Sequence, residues 1–486
     1  MPAVKAYKEN DPSAPPFPED FELVKKAVLQ LTDLAKNNNK YYAIELHQAT
    51  AQGKPIFRVY THYGRTDDLV SNPNAGVREC RFFQTLAEAE AAYQSIYREK
   101  TSASKGYKEV ALANSLIGSH KARGSSVGEI DEATKARAAA KATAAANGAS
   151  TAPPAPAPSK LAAGVQELVR YLYDEAKSNL TQTVNVQITA DGIKTPLGIL
   201  TLGQIEKGEA ILQAIYQTFQ SKAANKAEQL KQLTSDFYTA IPHNIGRTRA
   251  AIAKHLIDNL AAIEEKQNTL QLMKDMLQVN GESGSVLFRD LVDEQYAALG
   301  CELNYIEPGS PQFKELADYV VRSQIKSKSI KVKNIFTVKR PPEWEQFTSH
   351  IDNQRLLFHG SRIQNWVGIL TRGILLPKIV VSMGVQRTDA GWLGNGIYFG
   401  DAACTSSFYT TPGKKKTRFM ALARVALGRM KDYTKITYGL TAPPEGYDSC
   451  HGVRNQRNIR SDFADDEYVI YDVRQQRLEY LVEFLM

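Results

Sequence analysis

The hydrophobic run 356–358 ends in His359-Gly360-Ser361, three residues that are suited to binding a ligand. Glycine lets a ligand approach the backbone N–H and C=O closely, and a planar amide could pair with both groups. Histidine and serine on either side offer hydrogen-bond donors to sugar hydroxyls. The alternative interpretation is that His359 ends a strand as a satisfied core histidine.

A second segment, 394–400, leads through glycines into a β-type run that presents Tyr398. Its GxGxxxG spacing differs from the dinucleotide-binding fingerprint, so a Rossmann site is not predicted here. Ser406 and Tyr409 follow three residues apart, and they are neighbours on one face if this piece is helical. Two tyrosines near one site could enclose an aromatic ring. Alternatively, both tyrosines belong to the core.

The third segment places Glu467 at the start of a strongly β-type run, 467–472. A carboxylate at the mouth of a strand can stabilise positive charge that develops on a sugar, as in glycoside chemistry. The alternative is a solvated acidic turn before an edge strand.

The elements that must position these residues are short strands separated by long loops. Predicted strands cover 330–338, 355–359, 396–399, 419–427, 467–472 and 478–485, with one helix at 366–372. We therefore predict an α+β domain with a mostly antiparallel sheet over residues 300–486.

The rest of the chain divides by composition. Residues 21–118 alternate as strands and end in one helix, so they predict a small β-rich domain. Residues 159–284 show repeated amphipathic spacing and predict an all-α domain. Residues 119–158 are rich in Ala, Lys and Pro and predict a linker, whereas the five prolines of 1–20 indicate a disordered tail.

Several classes of protein are excluded by simple features. The 60 basic and 52 acidic residues give a net charge of +8, which permits a polyanionic partner without demanding one. We expect no membrane association, because no apolar run could span a bilayer and the N-terminus lacks a signal-peptide pattern. The four cysteines form no CxxC pair, which argues against a zinc site or disulfide framework and favours a reducing compartment. No GxxxxGK[ST] phosphate loop is present, so the chain is not an ordinary P-loop ATPase.

Taken in order and spacing, the three chemical segments resemble the catalytic domain of the poly(ADP-ribose) polymerase family. His359, Tyr398 and Glu467 match the histidine–tyrosine–glutamate triad of that family. Upstream segments resemble its helical regulatory domain and its WGR module, at 159–161, 195–200, 237–243 and 256–260, and at 39–42 with 63–65. The resemblance covers about 20–118 and 159–486, in the arrangement of short members without zinc fingers. Two loops, 384–389 and 442–449, are similar to those of the vault-associated member.

The resemblance implies a role for each residue around nicotinamide. The backbone of Gly360 and the hydroxyl of Ser406 would hold the carboxamide. Tyr409 would stack on the ring, and Tyr398 would pack on its other side. Glu467 would bind the nicotinamide ribose and orient the acceptor hydroxyl.

The same resemblance implies roles at the other end of the donor and in the WGR module. His359 would bind the adenosine ribose, and Ser361 with Asn365 would line the adenosine side. Tyr63, which replaces the WGR tryptophan, would pack against a DNA end, and Arg65 would couple the module to its neighbours.

The implied protein is an NAD+-dependent poly(ADP-ribosyl)transferase that releases nicotinamide, is stimulated by DNA ends or nicks, and functions in DNA repair. NAD+ would be a consumed substrate, with no cofactor and no metal. Protein acceptors would include the chain itself, which is expected to be monomeric without DNA. The helical domain would restrain the enzyme until DNA binds. We expect nuclear localisation in a eukaryote and cytoplasmic or nucleoid localisation in a prokaryote. The alternatives are a mono-ADP-ribosyltransferase and a catalytically silent nucleic-acid-binding scaffold.

Overall fold

The computed structural model describes residues 4–128, 159–184, 187–189, 192–243, 245–246, 248–279, 292–324, 329–376 and 391–486. By their internal contacts these residues form two compact units. The first unit comprises Met1–Pro154 with Leu180–Leu277, and the second comprises Ala155–Asn179 with Gln278–Met486. Each unit has its own hydrophobic core.

The first unit opens with a β-rich module. Its elements are β1 Tyr7–Lys8, β2 Glu22–Asp33, β3 Asn38–Ala51, β4 Lys54–Arg65, α1 Asp68–Ser71, β5 Val77–Phe83, α2 Leu86–Thr101 and β6 Lys108–Glu109. The strands form one antiparallel sheet in the order β1-β5-β4-β3-β2-β6. Gln52 and Gly53 join β3 to β4, and both have positive φ, at 49° and 73°. A type I′ hairpin turn requires this conformation at both residues.

Helix α2 covers one face of this sheet. It begins after Thr85, whose hydroxyl accepts a hydrogen bond from the Glu88 N–H. Ala89 and Tyr93 on the helix are buried with Leu29 and Ile44 of the strands. The predicted small β-rich domain with one late helix is therefore confirmed.

Residues 4–20, which the sequence predicted to be part of a disordered tail, contact the β-rich module, while residues 1–3 lie outside the described residues. Tyr7 pairs with Cys80 in the sheet. The ring of Phe17 lies 6.1 Å from that of Phe82, and the guanidinium of Arg58 lies 4.3 Å from the centre of the Phe17 ring. Tyr7 and Phe17 therefore attach this segment to the sheet, although its proline content alone predicted disorder.

The predicted linker, 119–158, also includes residues that belong to the folded module. The backbone N–H of Ser119 donates to the buried carboxylate of Glu45 at 2.8 Å. Val127 donates its N–H to the Leu112 carbonyl at 2.8 Å and is buried. Residues 119–128 therefore belong to the folded module, while 129–158 lie outside the described residues.

Helices dominate the following region, as predicted. Its elements are β7 Leu112–Ser115, α3 Ala163–Val184, β8 Gln187–Thr189, β9 Gly192–Lys194, β10 Gly198–Leu200, α4 Leu202–Gln220, α5 Lys226–Ala240, α6 Arg249–Ala253 and α7 Leu260–Val279. Strands β7 to β10 form a small antiparallel sheet that the prediction of an all-α domain did not include. The Thr195 and Gly198 backbones pair across a tight turn between β9 and β10.

The second unit contains the predicted α+β domain. After α3, its elements are α8 Val292–Leu299, β11 Glu302–Ile306, α9 Pro311–Arg322, β12 Lys331–Lys339, α10 Pro341–Gln346, β13 Gln354–Gly360, α11 Trp366–Arg372, β14 Ile397–Gly400, α12 Ala403–Ser407, β15 Arg418–Ala426, β16 Met430–Tyr433, β17 Ser449–Gly452, β18 Glu467–Ile470 and β19 Gln476–Leu485. Short 3₁₀ turns occupy Ile363–Asn365 and Val473–Gln475.

These strands form one sheet in the order β11-β12-β19-β15-β13-β14-β18-β17-β16. Neighbouring strands are antiparallel except for β16 and β17. The prediction of a mostly antiparallel sheet is therefore confirmed. The sequence did not predict β11, β16 or β17. Within the described ranges, none of the helices has both the length and the apolar character that crossing a membrane requires.

Candidate active site

Sheet pairing brings the three triad residues onto adjacent strands. Phe358 in β13 pairs with Gly400 in β14, and Gly400 pairs in turn with Glu467 at the start of β18. Tyr398 pairs with Val469 and is therefore the diagonal neighbour of Glu467, at a Cα separation of about 7–8 Å. His359, Tyr398 and Glu467 thus lie on three neighbouring strands, β13, β14 and β18.

The orientation and protonation of His359 are set by one hydrogen bond. Its Nδ1 lies 3.0 Å from the carbonyl oxygen of Tyr398. Because a carbonyl can only accept, Nδ1 carries the proton. Burial lowers the pKa of His359 and favours the neutral ring, whose Nε2 is then an acceptor. The sequence suggested a donor to a sugar hydroxyl, whereas this geometry makes His359 an acceptor.

Gly360 lies where a side chain cannot fit. A Cβ at this position would lie 1.9 Å from the carbonyl oxygen of Ser406. The Ser406 hydroxyl donates to the Phe358 carbonyl at 3.1 Å. Backbone groups of a strand alternate between its two edges, so Gly360 directs its N–H and C=O toward the same edge as Phe358. One edge of β13 therefore offers a backbone donor and acceptor beside a serine hydroxyl.

Ser406 and Tyr409 are brought together as predicted, although helix α12 ends before Tyr409. A turn carries the chain onward, in which the Tyr409 N–H donates to the Ser406 carbonyl at 3.2 Å. Ser406 is buried, whereas Tyr409 is 49% exposed. A half-exposed ring next to the amide-binding edge can stack on a planar ligand.

Tyr398 is fixed at its hydroxyl. The hydroxyl donates to the Gly394 carbonyl at 2.7 Å and accepts from the Leu393 N–H at 2.9 Å. The ring is half-buried against a small core that contains Leu393 and Val469. These contacts position the Tyr398 ring rigidly on the strand that lies between His359 and Glu467.

Ser361 and Asn365 also meet. The Asn365 side-chain amide donates to the Ser361 hydroxyl at 3.1 Å, across the 3₁₀ turn that follows β13. Both residues therefore lie just beyond His359, on the side that the sequence assigned to adenosine.

Glu467 is half-buried at the mouth of β18, which lies between β14 and β17 and is not an edge strand. Burial, and to a smaller extent the charge of Asp465, together raise the pKa of the Glu467 carboxyl to about 7. Because Asp465 is itself only 6% exposed, the interpretation of this segment as a solvated acidic turn is wrong.

For the NAD+-dependent transfer that the resemblance implies, we predict that kcat/KM for NAD+ rises with pH through an inflection near pH 7, because that chemistry would need the Glu467 carboxylate. Asp465→Asn should move the inflection to lower pH, since it removes a negative charge that opposes ionisation of Glu467. Initial rates measured between about pH 6 and about pH 8 check this. A profile that is flat across this range in both proteins would contradict it.

A charged network that the sequence analysis missed supports the mouth of β18. Arg454 contacts Asp401 at 3.0 Å and Asp466 at 3.2 Å. His451 bonds Asp466 at 3.0 Å, and its ring stacks on Tyr468 with centroids 4.7 Å apart. The Asp465-Asp466 pair directly before Glu467 was the signal available in the sequence. The network pairs the Asp401 and Asp466 carboxylates with Arg454 and holds β17 against β18.

The two predicted WGR residues lie together at the end of β4. The ring of Tyr63 stacks on Tyr42, with centroids 5.2 Å apart and an interplanar angle of 9°. Arg65 pairs with Asp67 at 3.2 Å, and Asp67 accepts from the Ile245 N–H at 3.1 Å. Arg65 is therefore linked through Asp67 to the loop before α6, in the same unit.

Tyr63 and Arg65 border a cavity of about 490 Å³. Its other lining residues include three cations, Lys40, Arg81 and Lys100, and two carboxylates, Glu79 and Glu99, which pair with Arg81 and Lys100. A cavity that combines cations with tyrosine rings suits a phosphate-bearing ligand with an exposed base or sugar. Among the described residues, no group of three or more His, Cys, Asp or Glu side chains is arranged to hold a metal ion.

Three family models match this chain. Residues 310–486 match the poly(ADP-ribose) polymerase catalytic domain, residues 159–285 match the regulatory domain of the same polymerases, and residues 25–114 match the WGR domain. These matches confirm the resemblance found in the sequence. The loop 384–389, which contributed to that resemblance, lies outside the described residues.

Similar curated proteins include both poly- and mono-transferases by name. The human protein mono-ADP-ribosyltransferase PARP4 is 35% identical over 68% of this chain, which spans 18% of that relative. The Drosophila melanogaster poly [ADP-ribose] polymerase is 26% identical over 93% of this chain, which spans 45% of it. The human protein mono-ADP-ribosyltransferase PARP3 is 24% identical over 99% of this chain and 92% of its own length. This chain therefore spans less than half of the first two relatives.

Proposed function

Because this chain belongs to the poly(ADP-ribose) polymerase family of ADP-ribosyltransferases, we propose that it transfers ADP-ribose from NAD+ to proteins, itself included, and releases nicotinamide. It extends the product into poly(ADP-ribose) and is stimulated by broken DNA. The observation that carries this proposal is the placement of His359, Tyr398 and Glu467 on three neighbouring strands, beside Gly360 and Ser406.

The nicotinamide end of NAD+ is held at the end of β13. The carboxamide pairs with the N–H and C=O of Gly360 and with the Ser406 hydroxyl. The nicotinamide ring stacks on Tyr409, with Tyr398 on its other side. At the opposite end, Nε2 of His359 accepts a hydrogen bond from the adenosine ribose, and Ser361 with Asn365 lines the adenosine side.

The chemistry needs one carboxylate. The C1′–N bond of the nicotinamide ribose breaks, and its electron pair leaves with the nicotinamide nitrogen, which loses its positive charge. The Glu467 carboxylate stabilises the positive charge left on the ribose. It also accepts the proton of the attacking hydroxyl as the new C1′–O bond forms. NAD+ is consumed as a substrate, and no resident cofactor takes part.

Transfer of a single ADP-ribose is the second candidate. The human relative that is 35% identical is named a mono-ADP-ribosyltransferase. In addition, Asn395, in the glycine-containing segment 394–400 that precedes and includes Tyr398, is 2% exposed. A buried amide offers no cation to the phosphates of an incoming ADP-ribose chain.

Incubation with radiolabelled NAD+, with and without nicked DNA, tests the proposal. A high-mass labelled smear that increases with nicked DNA is the expected product. A sharp labelled band would favour the second candidate. Absence of label under both conditions would overturn the proposed activity and favour a silent scaffold.

The WGR cavity is the proposed DNA contact. Base and sugar stacking on Tyr63 and charge pairing with its lysines and arginines suit a DNA end or nick. A DNA partner of this kind agrees with a nuclear protein in a eukaryote or a nucleoid-associated protein in a prokaryote.

We predict that Tyr63→Ala weakens binding to nicked duplex by about 10-fold or more, because the stacking ring is lost. Tyr63→Phe is the matched control, since it keeps the ring and loses the hydroxyl that donates to Glu79. Fluorescence anisotropy at fixed salt measures both affinities. Equal affinity of the wild type for nicked and intact circular duplex would contradict recognition of breaks.

The helical region is proposed to restrain the enzyme until DNA binds. Any fragment used to test this should keep residues 155–179, which cluster with the catalytic residues. A fragment that begins at residue 300 lacks these residues. Its activity would reflect two changes at once: the loss of restraint by the helical region and the loss of the contacts that residues 155–179 make with the catalytic residues.

A further inference from the structure

The loop between Tyr409 and β15 is a tight, ordered turn. The Gly413 N–H donates to the Thr417 carbonyl at 2.9 Å, and the Lys416 N–H donates back to the Gly413 carbonyl at 2.8 Å. Lys416 takes a left-handed conformation, with φ of 60°. We call residues 410–417 the 410–417 loop. The loop directly follows Tyr409, which lies on the nicotinamide side of the site.

Helix α3 holds this loop by its backbone. The carboxylate of Glu175 accepts from the Lys414 N–H at 2.7 Å, and the Tyr171 hydroxyl accepts from the Lys415 N–H at 3.2 Å. Both side chains are buried, at 8% and 6% exposure. A Cβ on Gly413 would lie 2.3 Å from the Tyr171 hydroxyl, so glycine is required for this close approach.

The other side of the 410–417 loop contacts the adenosine end of the site. The hydroxyl of Thr411 accepts from the Ile363 N–H at 3.2 Å. Ile363 belongs to the 3₁₀ turn that carries Asn365 and follows Ser361. The loop therefore connects Tyr409, which faces nicotinamide, to the turn assigned to adenosine.

We propose that Glu175 and Tyr171 are positioning residues for NAD+, acting through the 410–417 loop. This inference rests on the proposed function. The family model of the regulatory domain starts at residue 159 and so includes both residues, but their contacts belong to the catalytic unit. The part of α3 that belongs to the second unit, up to Asn179, thus shapes the donor site. Without the Glu175 carboxylate, the Lys414 amide loses its buried acceptor and the loop is no longer held in one conformation.

Steady-state kinetics on the full-length chain tests this proposal. Glu175→Ala should raise KM for NAD+ by about 10-fold, with a smaller change in kcat, because a displaced loop misplaces donor contacts. It should weaken benzamide binding, measured by calorimetry, by a similar factor. Glu175→Gln keeps an oxygen acceptor for the Lys414 N–H and should restore both values. Asp174→Ala, an exposed acidic residue on the same helix, is the matched control and should behave as wild type.

A purely structural role gives a different result. It would lower the melting temperature of Glu175→Ala while leaving KM and benzamide affinity unchanged, and that result would overturn the proposal. If Glu175→Ala does not fold, Tyr171→Phe decides, since it removes only the hydroxyl that accepts from Lys415. An unchanged KM in Tyr171→Phe would then overturn the proposal. Failure of the proposed function would be distinguishable from these outcomes, because the wild type itself would then show no ADP-ribose transfer.

Discussion

Glu467→Gln is expected to lower the rate of ADP-ribose transfer by about 10²- to 10³-fold and to abolish elongation. The amide keeps the shape of the side chain but loses the charge that stabilises the ribose and the base that takes the acceptor proton. Binding of NAD+ should change little, because the carboxamide and adenosine contacts come from other strands. The loss should therefore lie in kcat.

The measurement is the initial rate of nicotinamide release together with the size of the labelled product. Glu302→Gln is a suitable control, because Glu302 is an exposed glutamate on β11 of the same sheet. Both variants should melt near the wild-type temperature. Long polymer from Glu467→Gln would show that Glu467 does not have the assigned role.

Gly360→Ala should reduce benzamide affinity by at least about 100-fold and remove transfer, because its Cβ would lie 1.9 Å from the Ser406 carbonyl oxygen. The clash is with backbone, so no rotamer change can relieve it. Either β13 or α12 must move, and each carries a group that binds the carboxamide.

Gly203→Ala is the matched control for this variant. Gly203 lies in the first turn of α4, and a Cβ there would meet nothing within 4 Å. Calorimetric titration with benzamide and a thermal melt separate the two effects. Wild-type benzamide affinity in a folded Gly360→Ala protein would mean that the carboxamide binds elsewhere.

Much of the site could be predicted because its signals are local. His359-Gly360-Ser361 ends one hydrophobic strand and Glu467 begins another, so residue type and strand pattern together indicated their positions. The protonation of His359 could not be predicted in this way. It depends on the Tyr398 carbonyl, which lies 39 residues further along the chain.

The parts of the fold that the sequence missed depend on contacts between distant residues. Residues 119–128 look like linker by composition, yet Ser119 satisfies the buried Glu45 carboxylate. Helix α3 has an ordinary amphipathic pattern. Nothing in that pattern indicates that Glu175 accepts a hydrogen bond from the backbone of Lys414, 239 residues further along the chain. Buried polar pairs of this kind specify the assembly of elements without altering local periodicity.

The most direct test of the central claim is to measure, in one reaction, the nicotinamide released and the ADP-ribose covalently attached to protein. The wild-type chain should attach ADP-ribose in amounts that match the nicotinamide released, and Glu467→Gln should lose both together. Nicotinamide release that yields only free ADP-ribose would make the chain an NAD+ hydrolase, and release of no nicotinamide would leave it without this chemistry. Either result would contradict the account.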